Sequence, residues 1–361
     1  MKPGLPAPQS PRRILVCQLR QIGDVLLSTP AVELLARHYP QAEIHVFTEK
    51  KCLPALENNP FISAFLPLDK EVLPTVLHEY LFYHRAVTGK YDLLVDFQQL
   101  PRCRAVAALS GAATRISFPP PWYLRPLYTH WHQPAPAYAA AYKAGILEPL
   151  GIVWNGERPR LYPRAEERAE AGLLLSALGL EGKRFINVAA SHRHAPRRWP
   201  ARHYAALVDM LAEAEPDLFF FLTHGPGEED YVRDLQSRCV HSRRVVTHEG
   251  PLDLRLIAAC MERGRMQIGN CSAPRHMAVA LDVPSLTILG ASGFGWTFPA
   301  PEHIHVHAGQ FMPMPCWSCG RNTCEAGLVC LEKLAPDLVF PIALKHLRTY
   351  GLSSGRARSG A

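Results

Sequence analysis

Short apolar runs alternate with amphipathic stretches along most of this sequence. In the first half, buried strands are predicted at RILVCQL, EIHVFT and DLLVDF, and helices at about 25–37, 71–86 and 136–149. The alternation breaks at GIVWNGERPRLYP (151–163), which is rich in turn formers. It then restarts with the strands RFINVAA, DLFFFLTH, RMQIGN and PSLTILG and with helices at 201–214 and 251–263. Strands that alternate with helices predict an α/β protein with one parallel sheet in each half.

We therefore expect two Rossmann-like, doubly wound domains facing a central cleft. The 361 residues suffice for two domains with sizeable cores. The expected bounds are 12–155 and 156–334, with a last helix over 335–350 and a disordered leader (1–11) and tail (351–361). Ligands of such sheets bind at the carboxyl ends of the strands, so residues that follow strands are the first functional candidates.

Composition restricts the partners. No apolar stretch is long enough to span a bilayer, and MKPGLPAPQSPRR lacks the apolar core of a secretory signal, so we expect a cytoplasmic protein. A net charge of +7 with 17 histidines suits a nucleotide, a phosphorylated glycan or an anionic membrane surface. A nucleic acid partner is not expected, because the chain has no concentrated basic run or recognised binding motif.

Asp24 lies where the first predicted strand turns into a helix. One interpretation is a helix N-cap, since aspartate accepts hydrogen bonds from the free N–H groups of a first turn. The other is a general base that points into the ligand crevice. Gly23 before it permits a tight turn or the close approach of a ligand. The residues alone leave both interpretations open.

Three loops of the second half follow strands and suit an anionic ligand. In ASHRHAPRRWPARHY, Arg193, Arg197 and Arg198 precede a helix, where side chains and helix dipole attract anions together. In LTHGPGEEDY, Glu228 or Glu229 is placed to bind ribose hydroxyls. The alternatives are a solvated basic loop and a tight turn with acids at a helix start.

The third loop, GNCSAPRHMAVAL, places Ser272 and the N–H groups around Ala273 where they would hold a phosphate, with His276 one turn into the helix. The alternative is Ser272 as an N-cap and His276 as a satisfied core histidine. Two familiar nucleotide-binding motifs are absent from the sequence. The chain has no G-x-x-x-x-G-K-[ST], and no G-x-G-x-x-G follows the first strand.

Cysteine and histidine form two further clusters. Cys316, Cys319, Cys324 and Cys330 match a structural zinc site in number but not in regular spacing, so free thiols or a redox-dependent pair stay open. The other six cysteines are expected to be small core residues. His303, His305 and His307 share one face of a strand, which we expect to be exposed rather than metal-binding.

Taken in order, these segments resemble glycosyltransferase family nine, the lipopolysaccharide heptosyltransferases that use an ADP-heptose donor. The similarity lies in ILVCQLRQIGDVLLSTPAVELLARHYPQAEIHVFT, DLLVDFQ, RRWPARHYAALVDML, GPGEE, GNCSAPRHMAVALDVPSLTILG and the cysteine cluster with LEKLAPDLV. It covers most of residues 12–348. The resemblance implies a GT-B fold and an inverting transfer that requires no metal or cofactor, with a lipopolysaccharide core-type acceptor at the inner face of the inner membrane. The nucleotide-sugar donor would bind the second domain.

The resemblance also implies roles for single residues. Asp24 falls at the position of the catalytic base, with Arg20 and Gly23 beside it toward the acceptor. The donor, and its phosphates in particular, would contact six residues of the second domain: Ser191, Arg197, Glu228, Ser272, Ala273 and His276.

This chain departs from the family pattern at four positions, among them Ser272 for a threonine and Ala273 for a glycine. Arg197 replaces a lysine, which keeps the charge and allows bidentate phosphate binding. Cys271 replaces the aspartate that would bond donor-sugar hydroxyls, so the sugar subsite has changed. Two alternative functions follow: a transferase with another nucleotide-sugar and glycan acceptor, or a non-catalytic relative that binds nucleotide or sugar.

Overall fold

The computed structural model describes residues 10–352, so most of the predicted leader (1–11) and tail (351–361) lies outside the described residues. The chain divides into two compact units at Tyr162 and Pro163, whereas the sequence predicts a division between residues 155 and 156. No helix within residues 10–352 is long and apolar enough to cross a membrane.

The first unit is built on a six-stranded parallel sheet in the order β3-β2-β1-β4-β5-β6. Its strands are β1 (Arg13–Cys17), β2 (Glu43–Glu49), β3 (Ala64–Leu68), β4 (Leu93–Asp96), β5 (Thr114–Ser117) and β6 (His130–Trp131). Its α-helices are α1 (Ile22–Leu26), α2 (Thr29–His38), α3 (Val76–Val87), α4 (Pro101–Ser110) and α5 (Ala139–Gly145). Short 3-10 helices cover Lys50–Ala55, Trp122–Leu127 and Glu148–Leu150. Buried side chains alternate along β1, so one set packs under α2 and α5 and the other under α3 and α4.

The second unit repeats this architecture with a six-stranded sheet in the order β12-β11-β10-β7-β8-β9. Its strands are β7 (Arg184–Ala189), β8 (Leu218–Leu222), β9 (Val245–Thr247), β10 (Met266–Asn270), β11 (Ser285–Ile288) and β12 (His303–Val306). Its α-helices are α6 (Ala165–Ala177), α7 (Ala201–Ala214), α8 (Glu229–Arg238), α9 (Leu254–Arg263), α10 (Ala273–Ala280), α11 (Val329–Glu332) and α12 (Pro336–His346). Four 3-10 helices cover Ala195–Arg197, Ser242–Arg244, Phe294–Trp296 and Ala308–Gln310, and a π-helical turn covers Leu347–Gly351.

Both sheets are fully parallel and doubly wound, which confirms the predicted α/β class. In each sheet the direction of winding reverses between the first and fourth strands of the unit, β1 and β4 or β7 and β10. A crevice for ligands opens at the carboxyl ends of the two strands at such a switch point. Asp24 follows β1, and the loops that carry Arg197 and Cys271 follow β7 and β10.

The sequence prediction missed short or partly exposed elements. The strands β3, β5, β6 and β9 are two to five residues long, too short to show a clear period. The single helix predicted at 25–37 is two helices, because Thr29-Pro30 begins α2 with proline in its first turn. The expected tail at 351 is also wrong at its start, since the π-helical turn continues through Gly351.

Candidate functional site

Asp24 is the third residue of α1 rather than its N-cap, which is Gln21. Its Oδ2 accepts a long hydrogen bond of 3.5 Å from the Gln21 N–H. The N-cap interpretation is therefore wrong in position, although the carboxylate does face the first turn in the manner of a capping box. A bond of this length leaves most of the acceptor capacity of the carboxylate unused.

A buried lysine that the sequence analysis missed lies next to Asp24. Lys143 of α5 places its Nζ 3.9 Å from Asp24 Oδ1 and donates to Gln18 Oε1 at 2.7 Å. Burial lowers the pKa of Lys143, and the nearby Asp24 carboxylate partly offsets this effect. A buried ammonium with one carboxylate beside it holds that carboxylate in place. The only sequence signal is a lone lysine within the otherwise uncharged stretch AAAYKAG.

The two expected acceptor residues lie close to Asp24 in the chain. Arg20 is exposed, and its carbonyl accepts from Gln18 Nε2 at 3.1 Å and from Gln98 Nε2 at 2.5 Å. These two amides fix the loop between β1 and α1. Gly23 lies inside α1, where its carbonyl accepts from the Leu27 N–H at 3.0 Å. The expected tight turn at Gly23 is therefore wrong.

A second carboxyl group at the same switch point, that of Asp96, has a structural role. Asp96 ends β4 and is fully buried, which raises its pKa. It accepts from Tyr128 Oη at 2.6 Å and from the N–H groups of Gln98 and Gln99 at 2.9 Å. Asp96 therefore anchors the loop after β4, whereas the partly exposed Asp24 faces the crevice edge.

In the second unit, Asn270 at the end of β10 ties the loops of two strands together. Its Oδ1 accepts from the Trp199 N–H and from Tyr204 Oη, each at 3.0 Å. Trp199 follows the arginine-rich loop, and Asn270 precedes Cys271. The carboxyl ends of β7 and β10 thus bring the first and third predicted anion loops side by side.

The structure joins two predicted donor residues directly. Ser191 Oγ donates to Glu228 Oε2 at 2.6 Å, and the Gly225 N–H donates to the same oxygen at 3.0 Å. Glu228 is the N-cap residue of α8. Because both donors bind the same carboxylate oxygen, they fix the orientation of Glu228 at the carboxyl ends of β7 and β8. This arrangement agrees with either ribose binding or a tight turn.

Arg197 is partly buried in the 3-10 turn Ala195–Arg197. Its Nη2 donates to the Gly320 carbonyl at 3.1 Å, while its buried Nε has no hydrogen-bond partner within residues 10–352. Burial, followed by the charge of Arg197, lowers the pKa of His192 to about 4. The loop therefore concentrates positive charge beside a neutral histidine.

The third anion loop has the expected helix start. Ser272 is the N-cap residue of α10 but makes no side-chain capping bond, and Ala273 is the first helical residue. His276 is buried, and burial, together with the charge of Arg275, lowers its pKa to about 3. Its Nδ1 has no hydrogen-bond partner among the described residues. His276 is therefore a buried core histidine, as the alternative expected, but its Nδ1 is not satisfied within residues 10–352.

Cys271 contacts a buried cation that the sequence analysis did not single out. Arg275 is 3% exposed and donates from Nη1 to Cys271 Sγ at 3.1 Å. Its Nη2 contacts Thr297 Oγ1, which also bonds His305 Nδ1 at 2.8 Å. The recorded partners of Arg275 within residues 10–352 are thus a thiol and a hydroxyl, with no carboxylate. A buried guanidinium ordinarily has a carboxylate or a bound anion beside it.

Of the three interpretations left open for the cysteine cluster, the structure agrees with free thiols. Cys316, Cys319 and Cys324 are free thiols, and Cys330 is a buried free thiol of α11. Burial, followed by the charges of the other three cysteines, raises the pKa of Cys330 to about 11. In the part of the chain that the structure describes, no three metal-ligating side chains are arranged to hold an ion. The residues as placed do not fit zinc.

The remaining expectations for cysteine and histidine have mixed outcomes. Five of the six scattered cysteines are buried as expected, and Cys271 is the partly exposed exception. The expectation of an exposed histidine face is wrong: His303 and His307 are buried, and His307 stacks on Trp317 with ring centroids 4.0 Å apart. His305 is also partly buried, and burial, then the charge of Arg275, lowers its pKa to about 4.

Solved structures with the same architecture define the class. The chain is similar to a glycosyl transferase family 9 protein from Veillonella parvula, with a TM-score of 0.78, 22% identity, and coverage of 94% of this chain and 98% of that one. It is also similar to the Escherichia coli ADP-heptose lps heptosyltransferase II, with a TM-score of 0.74, 16% identity and coverage of 93% and 99%. The fold is that of the GT-B glycosyltransferases.

Sequence comparison finds similarity to one glycosyltransferase family. Residues 160–325 match glycosyltransferase family 9 (heptosyltransferase). A lipopolysaccharide heptosyltransferase 3 from Escherichia coli is 25% identical over 308 residues, which cover 82% of this chain and 89% of that protein. The chain is thus similar to this glycosyltransferase family over residues 160–325, and to heptosyltransferases over most of its length.

Proposed function

We propose that this chain transfers heptose from ADP-heptose to a lipopolysaccharide core-type acceptor, with inversion at the anomeric carbon and Asp24 as the general base. The observation that carries the proposal is the position of Asp24 at the switch point of the first sheet, partly exposed and 3.9 Å from the buried Lys143. The relatives are lipopolysaccharide and ADP-heptose heptosyltransferases, and they suggest the donor and the class of acceptor.

The proposed reaction is a single displacement at the anomeric carbon. The acceptor hydroxyl oxygen attacks the anomeric carbon, and Asp24 takes the hydroxyl proton. The bond between the anomeric carbon and the diphosphate oxygen breaks, and ADP leaves with the electron pair. The reaction as proposed requires no metal ion or other cofactor.

The second unit supplies groups that suit the departing diphosphate. Arg197 has an unpartnered Nε, and the N-terminus of α10 presents the Ser272 hydroxyl and the Ala273 N–H. Cations and fixed N–H dipoles stabilise charge as it develops on a leaving group. His276 extends this set from within α10, and Glu228 with Ser191 is assigned to the ribose.

A different donor sugar is the second candidate, and Cys271 is the observation that favours it. The aspartate that the family pattern has at this position is absent, and the thiol that replaces it accepts a hydrogen bond from Arg275. A non-catalytic binding relative is the third candidate. Release of nucleotide from a panel of ADP-, UDP- and GDP-sugars in the presence of acceptor separates all three, and the binding of ADP against UDP and GDP identifies the nucleotide.

The variant Asp24→Asn tests the base. We expect at least about a hundredfold loss of transfer, with ADP affinity nearly unchanged because the donor groups belong to the other unit. Glu43→Gln is the matched control, since Glu43 begins β2 at the opposite edge of the same sheet. Near-normal turnover by a folded Asp24→Asn protein would refute the assignment.

The proposed location follows from the proposed acceptor. A lipid-linked acceptor requires a peripheral contact with the anionic inner face of the inner membrane, on the cytoplasmic side. Recovery of active protein in the membrane fraction of gently lysed cells, and its release by high salt, would be the expected result.

A further inference from the structure

Arg275 carries a positive charge in the interior of the second unit. It is the third residue of α10 and is only 3% exposed. Its Nη1 donates to Cys271 Sγ at 3.1 Å and its Nη2 contacts Thr297 Oγ1, and no carboxylate is among its recorded partners within residues 10–352. A buried cation without an opposite charge is unfavourable, so such a site is ordinarily completed by a carboxylate or a bound anion.

The groups that surround Arg275 add no negative charge. His276 follows it in α10, and His305 Nδ1 bonds the same Thr297 Oγ1 at 2.8 Å. Burial, followed by the charge of Arg275, lowers the pKa of His276 to about 3 and that of His305 to about 4, so both rings are neutral near pH 7. The first turn of α10 contains no acidic residue, and the helix dipole is positive at this end. These neighbours therefore leave the charge of Arg275 uncompensated.

Cys271 connects Arg275 to the crevice at the strand ends. It directly follows β10, one of the two strands at the switch point of the second sheet, and residues 271–274 are partly exposed. Because a helical side chain points back toward the N-terminus of its helix, Arg275 extends toward this segment. A thiol is a weak hydrogen-bond acceptor, so an anionic oxygen that enters beside Cys271 would replace its contact with a stronger, charge-assisted bond.

The charge of this subsite is the reverse of the charge in the family pattern. That pattern has an aspartate at position 271, which would bond the hydroxyls of a neutral sugar, whereas this chain has a thiol beside a buried guanidinium. The proposed diphosphate site already has the Arg197 side chain, the Ser272 hydroxyl and the Ala273 N–H. Arg275 is thus available for a different negative group of the donor.

We propose that the subsite at Cys271 and Arg275 takes an acidic donor sugar, one that carries a carboxylate. The carboxylate accepts hydrogen bonds from the guanidinium and supplies the opposite charge that its protein neighbours lack. A neutral sugar in the same place leaves the guanidinium uncompensated, so the site selects against it. The inference rests on the proposed transfer and gives the chemical class of its second candidate, a donor sugar other than heptose.

The test is isothermal titration calorimetry of the full chain with two matched pairs of ligands, ADP-glucose against ADP-glucuronate and UDP-glucose against UDP-glucuronate. The members of each pair differ only in a hydroxymethyl group and a carboxylate. In the pair with the preferred nucleotide, we expect the glucuronate to bind about tenfold or more tightly. Arg275→Met should abolish this preference and leave the affinity for the nucleotide alone nearly unchanged.

Arg243→Met is the matched control and should keep the preference. Arg243 is an exposed arginine in the turn before β9, at the amino ends of the strands of the same sheet, so its loss removes the same charge far from the crevice. Cys271→Asp provides a second variant should Arg275→Met fail to fold. It places a carboxylate beside Arg275 and should also abolish the preference, whereas Cys271→Asn should keep it.

Three results would overturn the inference. The first is equal or weaker binding of the glucuronate by the wild type, and the second is a preference that survives in Arg275→Met. The third is an equal loss of affinity for nucleotide and glucuronate in Arg275→Met, which would make Arg275 a phosphate ligand. The titrations use no acceptor and do not involve Asp24, so the inference can fail while the proposed transfer stands. A wild type that binds neither nucleotide would refute the proposed function together with the inference.

Discussion

Replacing Cys271 with aspartate tests how the sugar subsite is built. In the wild type, Arg275 Nη1 donates to the thiol at 3.1 Å, and its recorded partners within residues 10–352 include no carboxylate. Cys271→Asp would place a carboxylate beside this buried guanidinium. The variant should therefore be more stable than the wild type rather than less.

The size of the effect follows from the geometry. Two opposite charges about 4 Å apart attract by about 4 kcal/mol at an effective dielectric constant near 20. Removing the new carboxylate from water offsets part of this, and position 271 is only partly exposed. We expect a net gain of about 1–2 kcal/mol, close to that of one charge-assisted hydrogen bond. In a unit of this size the gain raises Tm by roughly 2–8 °C.

The gain should depend on pH in a defined direction. Arg275 should hold the pKa of the introduced carboxyl below its unfolded value of about 4. Stabilisation is then fully present above pH ~4 and is lost as the pH falls through the lower folded pKa. The pKa of His305, about 4 in the wild type, should rise, because the charge of Arg275 is one of the two main causes that lower it.

The assays are thermal unfolding from pH 3 to 8, NMR titration of His305, and competitive turnover of ADP-heptose against ADP-glucose. Cys271→Asn controls for size without charge. If an oxygen of the new carboxylate stays available to the sugar, selectivity for heptose should increase while ADP affinity changes little. A Tm that falls in Cys271→Asp but not in Cys271→Asn would refute the reasoning, because Arg275 would then already be neutralised.

Three further predictions concern the two switch points. Arg197→Ala should weaken ADP binding by about 1.5–3 kcal/mol and leave adenosine binding unchanged by isothermal titration calorimetry, and an equal loss for both ligands would exclude a phosphate contact. Lys143→Met should slow transfer roughly 5–30-fold at unchanged ADP affinity. The Coulomb attraction between Lys143 and Asp24 acts at 3.9 Å but is partly screened around the exposed edge of Asp24. Lys143→Arg should retain more activity, and an unaffected rate in Lys143→Met would mean that Lys143 contributes only packing. The affinity for ADP-heptose, whose diphosphate has no ionisation near neutral pH, should be flat between pH 6 and 8, because burial keeps the pKa of His192 at about 4 and that of His276 at about 3; a titration step near pH 6.5 would contradict this.

The local sequence was sufficient to predict those elements that depend on local interactions alone. The apolar runs RILVCQL and RFINVAA become the central strands β1 and β7 because each is apolar enough to be buried on both faces of a sheet. Helix α7 spans Ala201–Ala214, as its periodicity predicts. The strand-to-helix junctions at Asp24 and at Ser272 also follow from sequence, since chain direction places them at the carboxyl edge of a parallel sheet.

Tertiary structure decided which side chains meet at those edges. Lys143 reaches Asp24 across more than a hundred residues of chain (positions 24 and 143), and Arg275 contacts Thr297 from the next strand-to-helix connection. No period or motif encodes such pairs, because they depend on strand order and on the packing of α5 and α10 against their sheets. The same holds for His303, which alternation alone assigned to an exposed face but which is buried beside Ser285 at 2.9 Å. The sequence by itself determined the central strands, several helices and the edges at which the candidate residues lie. The fold determined which charges lie beside each other, because that proximity exists only once the sheets have assembled.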